Sequence, residues 1–145
     1  MLAIPRAEEN RLPLLTPYTI VAVDDEEDTR ELLQSVLENA GARVHAAASA
    51  DEAVALCRTE RPDAIVSDIG MPVRDGYSLM KDLRESLGPD APRVAIALSA
   101  YAAPADRERS LAAGFHWHLA KPFHPADLVE TLQDLLKDAA STGTK

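Results

Sequence analysis

The sequence predicts a doubly wound α/β domain built on a five-stranded parallel sheet, and three observations predict it. Short apolar, β-rich runs alternate five times with segments whose apolar residues recur at helical spacing. Three of those runs, TIVAV (19–23), DAIVS (63–67) and RVAIALS (93–99), are almost continuously apolar, as strands are when helices cover both faces of a sheet. Parallel neighbours need crossover connections, each right-handed, and a helical segment follows every strand. The length, 145 residues, suits one domain with a real core.

The elements follow in order. TIVAV ends abruptly in acids, and the helix after it carries Leu32, Leu33, Val36, Leu37 and Ala40 on one face, with Gly41 as its stop. ARVHAA is a weaker second strand. Ser49 and Glu52 form an S-x-x-E capping box that opens the second helix, with Ala53, Val54, Leu56 and Cys57 inward and Pro62 at its end. DAIVS is strand three. Leu79, Met80, Leu83 and Leu87 mark helix three, stopped by Gly88-Pro89. RVAIALS is strand four, and helix four runs from Pro104, a favourable first-turn proline, to Gly114. WHLA (117–120) is strand five, and Leu128, Val129, Leu132, Leu135 and Leu136 line helix five. Residues 1–18, broken by prolines, and residues 139–145, AASTGTK, are expected to be flexible tails around a domain at 19–138. The alternative for the first tail is that Leu12, Leu14 and Leu15 dock on the domain or on a partner.

Composition narrows the function. Hydrophobic residues make up 46% and charged residues 27%, which fits a soluble globular chain. The net charge of −9 repels phosphate backbones, so direct nucleic-acid binding is not expected. No apolar run approaches a membrane span, the N-terminus has no secretory apolar region, and the expected setting is the cytoplasm. The single cysteine, Cys57, allows no internal disulfide and reads as a small buried hydrophobe.

In an open parallel sheet, ligands bind beyond the carboxyl ends of the strands. Strand one ends in Asp24-Asp25, strand three in Asp68, strand four in Ser99, and strand five in Lys121-Pro122. Clustered carboxylates repel one another unless a cation sits among them. An all-oxygen set suits Mg²⁺, with Mn²⁺ as the substitute. Lys121 offers a point charge for phosphate, and Ser99 a donor hydroxyl. A carboxylate beside the cation can accept a phosphoryl group, so the arrangement predicts metal-assisted phosphoryl transfer onto Asp68. Taken singly, each feature has a plainer reading: Asp-Asp as a helix cap, Asp75-Gly76 as a turn, serine as an ordinary strand end. Their joint occurrence at four strand ends does not.

The segments VAVDDEED, IVSDIGMPVRDGY, ALSAYA and HLAKPF together resemble the receiver domain of two-component response regulators, over residues 18–138. The closest likeness is to receivers attached to hybrid sensor kinases. The resemblance implies a flavodoxin-like sheet of strand order 2-1-3-4-5. It implies that Asp68 accepts the phosphoryl group, that Asp25 and the Gly70 carbonyl ligate Mg²⁺ with Asp68, and that Asp24 assists through water. It further implies that Ser99 and Lys121 bind phosphoryl oxygens, that Pro72 and Gly76 shape the loop before helix three, and that Tyr101 partly screens the acyl phosphate. The implied donor is a phosphohistidine on a sensor histidine kinase or a histidine phosphotransfer protein. The implied output is a protein target at the face of helix four, strand five and helix five, reached when Ser99 moves toward Asp68 and an aromatic on strand five turns inward.

That switch position, three residues before Lys121, holds His118 where the family pattern has Tyr or Phe. The expectation is that the His118 ring moves with phosphorylation and that its protonation tunes the inward state; the plainer reading is an exposed strand histidine. The residues outside 18–138 are too few for a DNA-binding helix-turn-helix, so the chain is expected to act through protein contacts and not as an enzyme in its own right. Met1 favours a free-standing regulator, although an excised hybrid-kinase receiver would look similar. An aspartate-based phosphatase is the competing enzyme, but that chemistry wants an acid where this chain has Gly70. A degenerate receiver used only for binding is the third reading, against which the intact acids, Ser99 and Lys121 stand.

The stretch FHWHLAKPFH (115–124) holds three of the four histidines. His116 and His118 share a strand face, Trp117 takes the other, and His124 follows the Lys-Pro turn. No third ligand is placed by the sequence, so a transition-metal site is not expected. Trp117 is a candidate reporter of activation.

Overall fold

A computed structural model describes residues 14–71, 75–100 and 103–143. The elements are β1 (Thr19–Val23), α1 (Glu27–Asn39), β2 (Arg43–Ala47), α2 (Ala50–Glu60), β3 (Ala64–Asp68), α3 (Gly76–Leu87), β4 (Val94–Ser99), α4 (Pro104–Ala113), β5 (Trp117–Ala120) and α5 (Pro125–Gly143), with a 3-10 turn at Gly88–Asp90. Every strand pair is parallel, and the order is β2-β1-β3-β4-β5. This is the doubly wound, flavodoxin-like order that the resemblance implied.

The strand period of two divides the core into two layers. Ile20, Ala22, Val66, Ile96 and Leu98 pack with Leu33, Leu37, Leu128, Leu132 and Leu136 of α1 and α5. Val21, Val23, Ile65, Ala95 and Ala97 pack with Val54, Cys57, Leu79 and Leu83 of α2 and α3. The three central strands are therefore buried on both faces, and the edge strands β2 and β5 are only partly buried. Burial pushes the Cys57 thiol up to about 12, which leaves it unreactive. α4 is the exception among the helices, because its one fully buried residue is Ser110.

Local signals act as the sequence predicts. Ser49 Oγ accepts from the Glu52 N–H at 3.2 Å, and Glu52 reaches back to the Ala48 N–H at 2.8 Å. α2 stops at Arg61, whose φ of 47° is left-handed, just before Pro62. Gly41 and Gly114, with φ of 101° and 113°, end α1 and α4.

The two ends of the chain depart from expectation. Residues 14–18, read from sequence as part of a flexible tail, pack on the domain. Leu15 is fully buried in the α1–α5 layer. Its N–H donates to the Ala40 carbonyl at 2.7 Å, and Thr16 Oγ1 donates to the Gly41 carbonyl at 3.1 Å, so this segment satisfies carbonyls that the end of α1 leaves open. The docking alternative thus holds for Leu14 and Leu15, whereas Leu12 and the rest of residues 1–13 lie outside the described residues. α5 continues to Gly143, past the boundary drawn at 138, and Ala139 still packs against the core.

Candidate functional site

The register brings the predicted residues to one rim. Val23 pairs with Ser67, Asp68 with Leu98, and Ser99 with Ala120, so the chain leaves β1, β3, β4 and β5 at the same level. Asp24, Asp25, Asp68, Gly70, Ser99 and Lys121 follow at or just beyond those ends. Pro72 and Tyr101 lie outside the described residues.

Asp24 is fully buried and firmly held. Its Oδ1 accepts the Glu26 N–H at 2.9 Å, its Oδ2 accepts Lys121 Nζ at 2.9 Å, and its carbonyl accepts the Arg30 guanidinium at 2.9 Å. Asp68 is 6% exposed, and its Oδ1 accepts the Gly70 N–H at 3.2 Å and lies 3.3 Å from Lys121 Nζ. One ammonium therefore serves two buried carboxylates. Asp25 is exposed beside them. The Lys121 N–H donates to the Ser99 carbonyl at 2.8 Å, which ties the end of β5 to the end of β4. The Lys121–Pro122 peptide is cis. Ser99 is buried.

The charges are out of balance. Burial first, and then the Asp24 charge, push the Asp68 carboxyl above its ordinary value, while Lys121 and the Gly70 N–H pull it back. Burial alone would lower Lys121. Its hydrogen bond to Asp24 and the Asp68 and Asp24 charges outweigh that and hold it above its ordinary value, so it stays an ammonium. Oxygens of Asp24, Asp25 and Asp68 lie within 4.8 Å of one another, and no other such group of metal-ligating side chains occurs among the described residues. A donor set made only of oxygen fits a hard cation such as Mg²⁺.

Sequence reasoning treated Gly76 as a loop-shaping residue. The structure gives it a steric reason: a Cβ there would sit 3.0 Å from the Asp68 carbonyl oxygen and 3.0 Å from Ile69 Cα. α3 thus starts directly against the end of β3, with Asp75 capping it through the Ser78 N–H at 2.9 Å. At Gly70 an added Cβ would meet nothing within 4 Å, consistent with an open side at that position.

The histidines separate as well. His118 is 4% exposed, so the exposed-strand reading is corrected: the ring points between β5 and α4, where its Nδ1 shares a 3.3 Å hydrogen bond with buried Ser110 Oγ. His116 Nδ1 accepts the Ala95 N–H at 3.0 Å, and its own N–H donates to the Ala95 carbonyl at 2.7 Å, so the residue pairs twice with the β4 edge. Burial first, together with the Arg84 charge, lowers the His116 pKa. Both Nδ1 atoms are engaged, and no histidine belongs to a metal-ligating group among the described residues. Neither the Ser110 nor the Ala95 contact has a local sequence signal, because each joins elements that only the folded sheet brings together.

Comparison with known proteins agrees with this geometry. The family model for the response regulator receiver domain matches residues 20–133. An uncharacterised 14.6 kDa protein of Leptolyngbya boryana is 43% identical over 120 residues, covering 82% of this chain and 90% of that protein. The transcriptional regulatory protein PrrA of Mycobacterium tuberculosis is 38% identical over 130 residues, covering 90% of this chain but only 54% of PrrA. The chain thus spans about half the length of that relative. Among solved structures, the chemotaxis protein CheY4 of Vibrio cholerae superposes with a TM-score of 0.74 at 33% identity, over 81% of this chain and 98% of that one. The signal receiver domain of a histidine kinase from Syntrophus aciditrophicus gives 0.73 at 32% identity, over 83% and 91%. Fold, strand-end acids and relatives converge: the chain belongs to the response regulator receiver domains of two-component signalling.

Proposed function

We propose that Asp68 accepts a phosphoryl group from a phosphohistidine of a sensor histidine kinase or a phosphotransfer protein. The observation that carries this reading is the single ammonium of Lys121 shared between two buried carboxylates at the carboxyl edge of the sheet, with a third carboxylate beside them. Asp68 Oδ attacks phosphorus as the P–N bond to the donor imidazole breaks, and the bonding pair returns to the ring nitrogen. Asp25, Asp68 and the Gly70 carbonyl would hold Mg²⁺, or Mn²⁺ in its place. Asp24, already engaged by Glu26 and Lys121, would assist through water. When bound, the cation neutralises charge on the phosphoryl oxygens. Lys121 then turns from the carboxylates to a phosphoryl oxygen, and Ser99 donates its hydroxyl to another.

The donor docks where a cleft of about 310 Å³ opens beside Lys121, between α1 and the start of α5, with Leu32 47% exposed on its wall. Output runs through protein contacts at α4, β5 and α5. Support comes from α4, held by one fully buried residue that contacts the switch ring of His118. The net charge of −9 argues against direct binding to nucleic acid. No helix among the described residues is long and apolar enough to cross a membrane, and we place the domain in the cytoplasm with its kinase.

Incubation with acetyl phosphate and Mg²⁺, followed by borohydride reduction, tests the assignment. One homoserine at position 68 per chain, dependent on Mg²⁺, is expected. Modification at another residue, or none with the fold intact, would overturn it.

A further inference from the structure

We infer that the groove along the outer edge of β5 docks a protein segment in which lysine or arginine side chains flank an apolar anchor. The inference rests on the reading of this face as the output surface and adds the chemistry of what it holds. β5 ends the sheet, with no further strand beside it among the described residues. All four of its residues line a groove of about 380 Å³ that runs between Arg107 of α4 and Asp127, Glu130 and Asp134 of α5.

The exposed apolar side chains and the free strand edge on this face define its occupant. Trp117, the chain's only tryptophan, is 47% exposed at the wall, although indoles are large and apolar and gain by burial at interfaces. Outside the groove, Leu111 of α4 is 54% exposed one turn on from Arg107. An unpartnered strand edge with an exposed aromatic is a surface for a peptide chain, which brings both backbone donors and an apolar side chain.

The charges choose the kind of peptide. Asp127, Glu130 and Asp134 recur at intervals of three and four, so they form one stripe on α5. Like charges at that spacing destabilise a helix, and none of the three lies within ion-pairing distance of a cation among the described residues. The stripe spans about 10 Å of helix, too long for one metal ion and long enough for several cationic side chains. A nucleic acid would be repelled. A second copy of this chain, with net charge −9, would have to approach against the repulsion of like overall charge. A cationic segment meets the stripe with its charges and Trp117 with its apolar or guanidinium side chain.

The test uses the full chain and two synthetic twelve-residue peptides that alternate leucine with lysine or leucine with glutamate. Binding is read by calorimetry and by Trp117 emission, at low and at physiological salt. The lysine peptide is expected to bind and shift the emission, and Glu130→Gln with Asp134→Asn to weaken it about tenfold. Glu31→Gln with Glu85→Gln, which removes equal charge from exposed positions on α1 and α3, is the control and should change affinity less than about twofold. Equal weakening by both pairs, equal binding of the glutamate peptide, or no binding overturns the inference. Borohydride trapping in the same variants separates the two readings. A labelled Asp68 without peptide discrimination sinks the groove alone, and discrimination without a labelled Asp68 sinks the phosphoacceptor alone.

Discussion

Asp63 precedes β3 and Asp68 ends it, and their surroundings are opposite. Asp63 Oδ1 accepts Arg93 at 2.9 Å, and Oδ2 accepts the Thr19 N–H at 2.9 Å. Its own N–H donates to the Thr19 carbonyl at 2.7 Å, and its carbonyl accepts the Arg93 and Val94 amides at 3.1 and 3.3 Å. One carboxylate meets one guanidinium and one amide, and the starts of β1, β3 and β4 are clamped together. At the other end, Asp68 shares one ammonium with Asp24, and Asp25 adds a further charge. The amino end of the sheet is where charge stabilises the native state. At the carboxyl end charge is left unbalanced, and a cation or a phosphoryl group can settle it. Proteins break their own rules of polar satisfaction most often where they act.

The largest test of this contrast removes the cation at each end. Lys121→Met leaves buried Asp24 and Asp68 facing each other without compensation, and should cost about 3 kcal/mol in urea unfolding. Arg93→Met removes a partner that is 44% exposed from an acid that is 31% exposed, and should cost about 1 kcal/mol. Comparable losses at the two ends would mean that the carboxyl rim is no more strained than an ordinary surface pair.

Neutralising the acids gives a smaller effect with opposite signs. Asp63→Asn weakens two charge-assisted hydrogen bonds in the amino-end clamp and should lower stability by about 1 kcal/mol. Asp68→Asn removes a carboxyl that burial and the Asp24 charge already disfavour in its ionised form, so in the absence of Mg²⁺ it should raise the urea midpoint without changing the slope. A fall in the midpoint for both variants would break the contrast.

Most of the carboxyl rim was legible in the sequence, whereas the Asp63 clamp at the amino end was not. The strands were plain because a sheet covered on both faces needs continuous apolar runs, and the α2 box was plain because capping is local. The strand-end acids could be assembled because parallel register carries residues far apart in sequence to one rim. What escaped depends on tertiary contact. Leu15 is one leucine in a proline-broken stretch, with no periodicity to mark it as core. The alanines of AASTGTK read as a tail, yet Ala139 still has core to pack against. Gly76 looked like a turn until the approach of α3 to the Asp68 carbonyl gave it a steric role. His118 was identified as the departure from the family pattern, but its tie to Ser110 joins a strand to a helix whose mutual position no local pattern specifies.

The smallest effect, and the one that isolates the unbalanced site, is the dependence of stability on pH. The folded-state pKa of Asp68 is raised above its ordinary 3.8, so the native state binds this proton more tightly than the unfolded chain does. Its contribution therefore falls as pH rises from 3.8 through the raised value, and stays low above it. Lys121 is also raised, above 10.5, but for a base the consequence is stability that is fully present below 10.5 and lost as pH climbs through the folded value. The two windows do not overlap, so subtracting the urea profile of Asp68→Asn from that of the native chain isolates the acid-side fall. With the proposed Mg²⁺ site filled, that fall is expected to reverse. Holding Asp68 as a carboxylate lowers its folded pKa, and the difference between the two profiles should then rise with pH over the acid window. A difference curve that is flat without Mg²⁺, or unmoved by adding it, would mean that the carboxyl end of β3 is as well balanced as the Asp63 end.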